Sequence, residues 1–92
     1  MQRDHRYDAT TVMWQYGKIK IFSDLFKWMP KTAVALDMNV GPRRLSKCIE
    51  DPTLLTSEDI GKLSDLYMIG RAAIKDLIRA QLKAQKNGPG KV

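Results

Sequence analysis

Apolar residues recur at three- and four-residue spacings through most of this chain, and no long alternating β-branched run interrupts them. Leu25, Phe26 and Met29 meet on one side of a first segment that Ser23 can cap and Pro30 ends. Val34 and Met38 share a face of a second segment, about residues 31–37. Leu45 and Cys48 share a face of a third, about residues 42–50. Ile60, Leu63, Leu66 and Tyr67 define a fourth. Thr56 followed three residues later by Asp59 approximates a capping box at its start, and Leu55 with Ile60 forms a hydrophobic staple. Gly70 is read as its end and as the cap of the next helix. Ile74, Leu77, Ile78 and Leu82 form the stripe of a fifth helix. The pattern predicts a compact all-α bundle of five helices over residues 23–84. Residues 1–22, polar and mixed with Tyr7, Trp14 and Tyr16 interspersed, are read as an N-terminal arm. Within it, Gly17 to Ile21 alternates like a short extended segment. Residues 85–92, with Gly88, Pro89 and Gly90, are read as a flexible tail, and no internal repeat is visible.

The junction between the second and third helices carries the strongest local signals. Asn39 stands where a helix must end and the chain reverse, and Asn is the commonest substitute for Gly in the left-handed conformation needed there. Gly41-Pro42 then opens the next helix: Gly is an acceptable N-cap, and Pro suits a first position whose N–H has no intrahelical partner. Asp51-Pro52 closes it, because the residue before Pro is pushed out of the helical region. Ala35 beside Val34 leaves room for two helices to cross closely.

This stretch, Lys31 to Ile49, resembles the helix-turn-helix of the lambda-repressor-like (Cro/XRE-type) family. That pattern wants apolar residues at Val34, Met38, Val40, Leu45 and Cys48, a small one at Ala35 and a Gly at Asn39. Six of the seven positions match, and the resemblance runs from about Ser23 to about Leu82. It implies a transcriptional regulator that binds duplex DNA without a cofactor, acts as a homodimer on two half-sites, and places the helix beginning at Gly41 in the major groove. The site residues it implies are Lys31 and Thr32 against a phosphate, then Gly41, Pro42, Arg43, Arg44, Ser46 and Lys47. Arg43 and Lys47 fall where the family contacts bases or phosphates, and Arg44 is placed on a phosphate. Pro42 departs from the polar base reader often found at its position and offers only apolar contact, for instance with a thymine methyl.

Charge supports a polyanionic partner. The chain of 92 residues carries a formal net charge of +6, and the sign alternates by element. Lys31, Arg43, Arg44 and Lys47 face Asp37 alone. Glu50, Asp51, Glu58, Asp59 and Asp65 face Lys62 alone. Arg71, Lys75, Arg79, Lys83, Lys86 and Lys91 then face Asp76 alone. Ordinary solvated faces would account equally well for the last helix. With 43% hydrophobic residues the chain is expected to fold as one domain.

No apolar run reaches the roughly 20 residues of a membrane span, and no signal peptide is evident. The expected location is therefore the cytoplasm, at the nucleoid. One cysteine and one histidine give no zinc ligand set. Scattered carboxylates form no acid/base pair, so no enzyme is expected. Trp14, Tyr16, Trp28 and Tyr67 suit packing better than base stacking, and Val12-Met13-Trp14 is expected to pack on a partner subunit. An antitoxin-like or other protein-interaction module on the same fold is the alternative function. A large exposed patch formed by Trp14, Trp28 and the fifth helix would favour it.

Overall fold

A computed structural model describes residues 5–86 as an all-α globule. Five α-helices, α1 (His5–Gln15), α2 (Lys31–Met38), α3 (Pro42–Glu50), α4 (Ser57–Tyr67) and α5 (Arg71–Lys86), are accompanied by two short 3₁₀ turns, Phe22–Phe26 between α1 and α2 and Pro52–Leu54 between α3 and α4. Among the described residues there is no strand. The core gathers Phe22, Leu25, Met29, Val34, Ala35, Met38, Leu45, Leu63, Tyr67, Ile69, Ile74 and Leu77. These are largely the residues whose spacing marks the helix faces.

The N-terminal segment differs from the expected extended arm. His5–Gln15 is helical and packs on α4 within its own chain. It lacks an apolar stripe, which hides it from periodicity. Instead it buries Tyr7 and Thr10, with Met13 and Trp14 half-buried against the core. The Thr10 hydroxyl donates to the Arg6 carbonyl at 3.0 Å, so its burial leaves no polar group orphaned. The Tyr7 hydroxyl donates to Asp37 Oδ2 at 2.6 Å, its ring meets Tyr67 edge-on at 5.0 Å, and the Thr11 hydroxyl donates to the Tyr67 carbonyl. Met13 and Trp14 thus pack against the chain's own core, while Val12 beside them is 41% exposed. Gly17, at φ +74°, turns the chain after α1. The following residues make no strand, although Ile19 is buried.

The expected first helix of the bundle is reduced to the 3₁₀ turn Phe22–Phe26. Ile21, not Ser23, precedes it in extended conformation. The Asp24 carboxylate organises the entry, accepting the backbone N–H groups of Lys20 at 2.9 Å and Ile21 at 3.2 Å. The end of α4 falls before Gly70: Met68, at φ 57°, closes the helix in the left-handed conformation. Gly70 caps α5 as read, its carbonyl accepting the first bond of that helix from Ile74 N–H. α5 runs to Lys86 and so takes in the first two residues assigned to the tail. Residues 87–92, the rest of that assignment, lie outside the described part. The capping box of α4 forms as read, with Asp59 N–H donating to Thr56 Oγ1 and Thr56 N–H to Asp59 Oδ2.

Candidate nucleic-acid interface

α2 and α3 are joined by three residues, Asn39 to Gly41. Asn39 is left-handed at φ 59°, ψ 45°. Val40 N–H donates to the Ala35 carbonyl at 3.0 Å, and Asn39 N–H to the Leu36 carbonyl at 3.1 Å. This is the Schellman closure of a helix, and Val40 tucks against the core as that motif favours. Gly41 is the N-cap of α3 and Pro42 its first residue, and the Gly41 carbonyl receives Leu45 N–H. Ala35 is fully buried on α2, which packs on both α3 and α4.

Three sets of interactions fix α3 from behind. Leu45 and Cys48 are buried, and burial pushes the Cys48 thiol pKa up, consistent with a packing role. Arg44 reaches α4, where its guanidinium donates to Asp59 Oδ1 at 3.2 Å and Oδ2 at 2.5 Å. The Asp59 carboxylate is buried, and the guanidinium beside it holds its pKa well below the usual carboxylate range against the opposing effect of burial. At the far end, Gln81 and Gln85 of α5 donate to the carbonyls of Ile49 and Glu50. The Gln81 Oε1 atom accepts Ser23 N–H at 2.6 Å, so one buried side chain ties α3, α5 and the 3₁₀ turn together. Lys62 donates to the Met38 carbonyl at 3.0 Å and steadies the end of α2 beside the turn.

The opposite side of α3 is open. Pro42, Arg43 and Lys47 are exposed, and Ser46 is half-buried. Lys31 and Thr32 are exposed at the start of α2, an end that no side chain caps. The Ala33 and Val34 N–H groups donate to the Pro30 carbonyl at 3.1 and 3.2 Å, so only those of Lys31 and Thr32 precede the bonding of the helix. Among the described residues, Lys31, Arg43 and Lys47 form no ion pair. Of the eight residues singled out from sequence, Lys31, Thr32, Gly41, Pro42, Arg43 and Lys47 are exposed at the helix starts and along the outer side of α3, with Ser46 at its edge. Arg44 is turned aside: a phosphate would compete with Asp59 for its guanidinium. Glu50 is exposed one turn beyond Ser46, which confines the positive sector to the first two turns.

Sequence reasoning missed Asp59, Lys62, Gln81 and Gln85 as the groups that orient this face. Only Asp59 carried a local signal, its place in the capping box. A patch made from Trp14, Trp28 and α5 is not assembled: Trp14 packs against the core and the outer side of α5 is charged. The most exposed large apolar residues are Leu36, Tyr16 and Met68, on three different elements or their ends. No described helix is long and apolar enough to cross a membrane, and no group of three or more His, Cys, Asp or Glu among the described residues could hold a metal ion. Comparison of the chain with protein-family models, with curated proteins and with solved structures finds no match to any of them.

Proposed function

We propose that this chain is a sequence-specific, duplex DNA-binding regulator with a helix-turn-helix of the lambda-repressor-like type, formed by α2 and α3. The observation that carries this reading is the outer side of α3. Its first turns present Pro42, Arg43 and Lys47 to solvent, while every polar tie on the helix is made from behind or at its end. Such a helix enters the major groove with its N-terminal residues nearest the base edges. Arg43 takes guanine O6 and N7, and Lys47 and Ser46 take a base edge or a phosphate. Lys31, Thr32 and the uncapped start of α2 receive a backbone phosphate. Arg44 acts through its pair with Asp59, setting the angle of α3 rather than touching DNA. A homodimer supplies the second half-site.

Selection of preferred duplexes from a random pool tests the reading and reports half-site spacing. On the selected duplex, Arg43→Ala is expected to lose about 1–3 kcal/mol of discrimination against random sequence. Equal losses on selected and random DNA refute base reading by Arg43. A protein-interaction module of the antitoxin-like kind is the second reading, and it is favoured by Leu36, which stands 79% exposed on α2. A flat dependence of duplex affinity on salt would select that reading instead.

A further inference from the structure

α5 carries a second basic surface, separate from α3. Arg71, Lys75, Arg79 and Lys83 follow one another at intervals of four, Lys86 follows Lys83 by three, and all five are exposed. At about 100° per residue these five side chains fall within one sector of about 120°, along about 22 Å of helix. Asp76, which pairs with Arg79 at 3.0 Å, stands at its edge. Among the described residues, Lys75, Lys83 and Lys86 form no ion pair.

This arrangement works against the helix that bears it. Like charges four apart repel, and the pairs Arg71–Lys75, Lys75–Arg79 and Arg79–Lys83 repeat that repulsion along the face. Arg71 also places a cation in the first turn, against the helix dipole, whereas Lys83 and Lys86 in the last turn agree with it. A face needed only for solubility would be better served by interspersed acids. A lipid surface is a poor match, because the apolar side of α5, Ile74 and Leu77, is buried in the core and leaves nothing to insert among acyl chains. The C-terminal end of α3 abuts α5 through Gln81 and Gln85. The first turn of α3 therefore lies about 12 Å of helix away from that junction, and the two basic surfaces are distinct.

We propose that the outer face of α5 is a second, sequence-independent contact for the phosphate backbone of a DNA duplex. It rests on the duplex-binding reading of the chain, but its test is separable from the base-reading role of α3. The log–log salt dependence of affinity for a random duplex is measured for the full chain and for the Lys75→Gln/Lys83→Gln/Lys86→Gln variant. The loss of up to three phosphate contacts should flatten the slope by about 2–3, equally on any sequence. Lys75→Arg/Lys83→Arg/Lys86→Arg should keep the original slope, and Arg43→Ala should alter sequence preference while leaving most of it. An unchanged slope in the glutamine variant overturns the proposal, even where Arg43→Ala shows base reading by α3. A flattened slope with no effect of Arg43→Ala upholds the proposal and removes base reading from Arg43. Binding to phosphatidylserine vesicles with no affinity for duplex overturns it in favour of a membrane surface.

Discussion

Replacing Asp59 with alanine should loosen α3 and α4 together, and the size of the effect can be worked from the hydrogen bonds that its carboxylate accepts. That carboxylate receives Thr56 N–H at 2.9 Å, one half of the capping box, and removing a cap interaction costs about 1 kcal/mol. It also holds Arg44 through two hydrogen bonds. The carboxylate is buried but the Arg44 side chain is 42% exposed, so the freed guanidinium regains water and the cost is far below that of an orphaned buried charge. About 1 kcal/mol is appropriate for such a half-screened pair. The total of about 2 kcal/mol corresponds to a fall in Tm of about 10 °C for a domain of this size. Urea unfolding of wild type, Asp59→Ala, Arg44→Ala and the double variant closes a thermodynamic cycle, with a coupling of about 1 kcal/mol expected. The Asp59 pKa is lowered chiefly by the hydrogen bond from Arg44. Its stabilisation is therefore fully present above the unfolded value of about 4 and is lost as pH falls through the lower folded value. The stability gap between wild type and Asp59→Ala should narrow below pH of about 4. Additive single losses, or a gap that stays constant down to the acid transition, would refute the claim that this pair anchors α3.

Three further outcomes follow from the backbone and the buried polar groups. Asn39→Gly should leave stability nearly unchanged in chemical denaturation, whereas Asn39→Ala should cost about 1 kcal/mol for its left-handed conformation. Gln81→Leu removes the partners of Ser23 N–H and the Ile49 carbonyl. A loss of about 2 kcal/mol is expected, with faster amide exchange near Ser23 as the local readout. Deleting residues 1–16 takes away buried Tyr7 and its edge contact with Tyr67. It should cost about 3 kcal/mol, and a truncated chain that melts with wild type would show that α1 contributes nothing to the core.

The parts legible in the sequence are those with signals inside a few residues. Asn39, Gly41-Pro42, Asp51-Pro52 and the Thr56–Asp59 box each mark a helix end by their own backbone chemistry, and Val34, Met38, Leu45 and Cys48 give the inward faces by spacing. α1 escaped because threonines bonded to their own helix and two aromatic rings replace the usual aliphatic stripe. The left-handed Met68 escaped because a flexible, exposed residue is a poor advertisement for that conformation. At the site, the residues of α3 were named through the resemblance to the helix-turn-helix, and the spacing of Leu45 and Cys48 supplied only which side of the helix turns inward. The ties from Asp59, Lys62 and Gln81 were not, since each joins groups fifteen or more residues apart that only the packed fold brings together.

The way α3 is held has a consequence for how the protein can change. Leu45, Cys48, Arg44 and the last carbonyls of the helix carry its attachment to the domain, and Pro42, Arg43 and Lys47 carry none of it. Substitutions at exposed positions without such ties usually alter stability by no more than about 0.5 kcal/mol. The outer turns of α3 can therefore be rewritten almost independently of the scaffold, by a few substitutions there that need no stability gained elsewhere first.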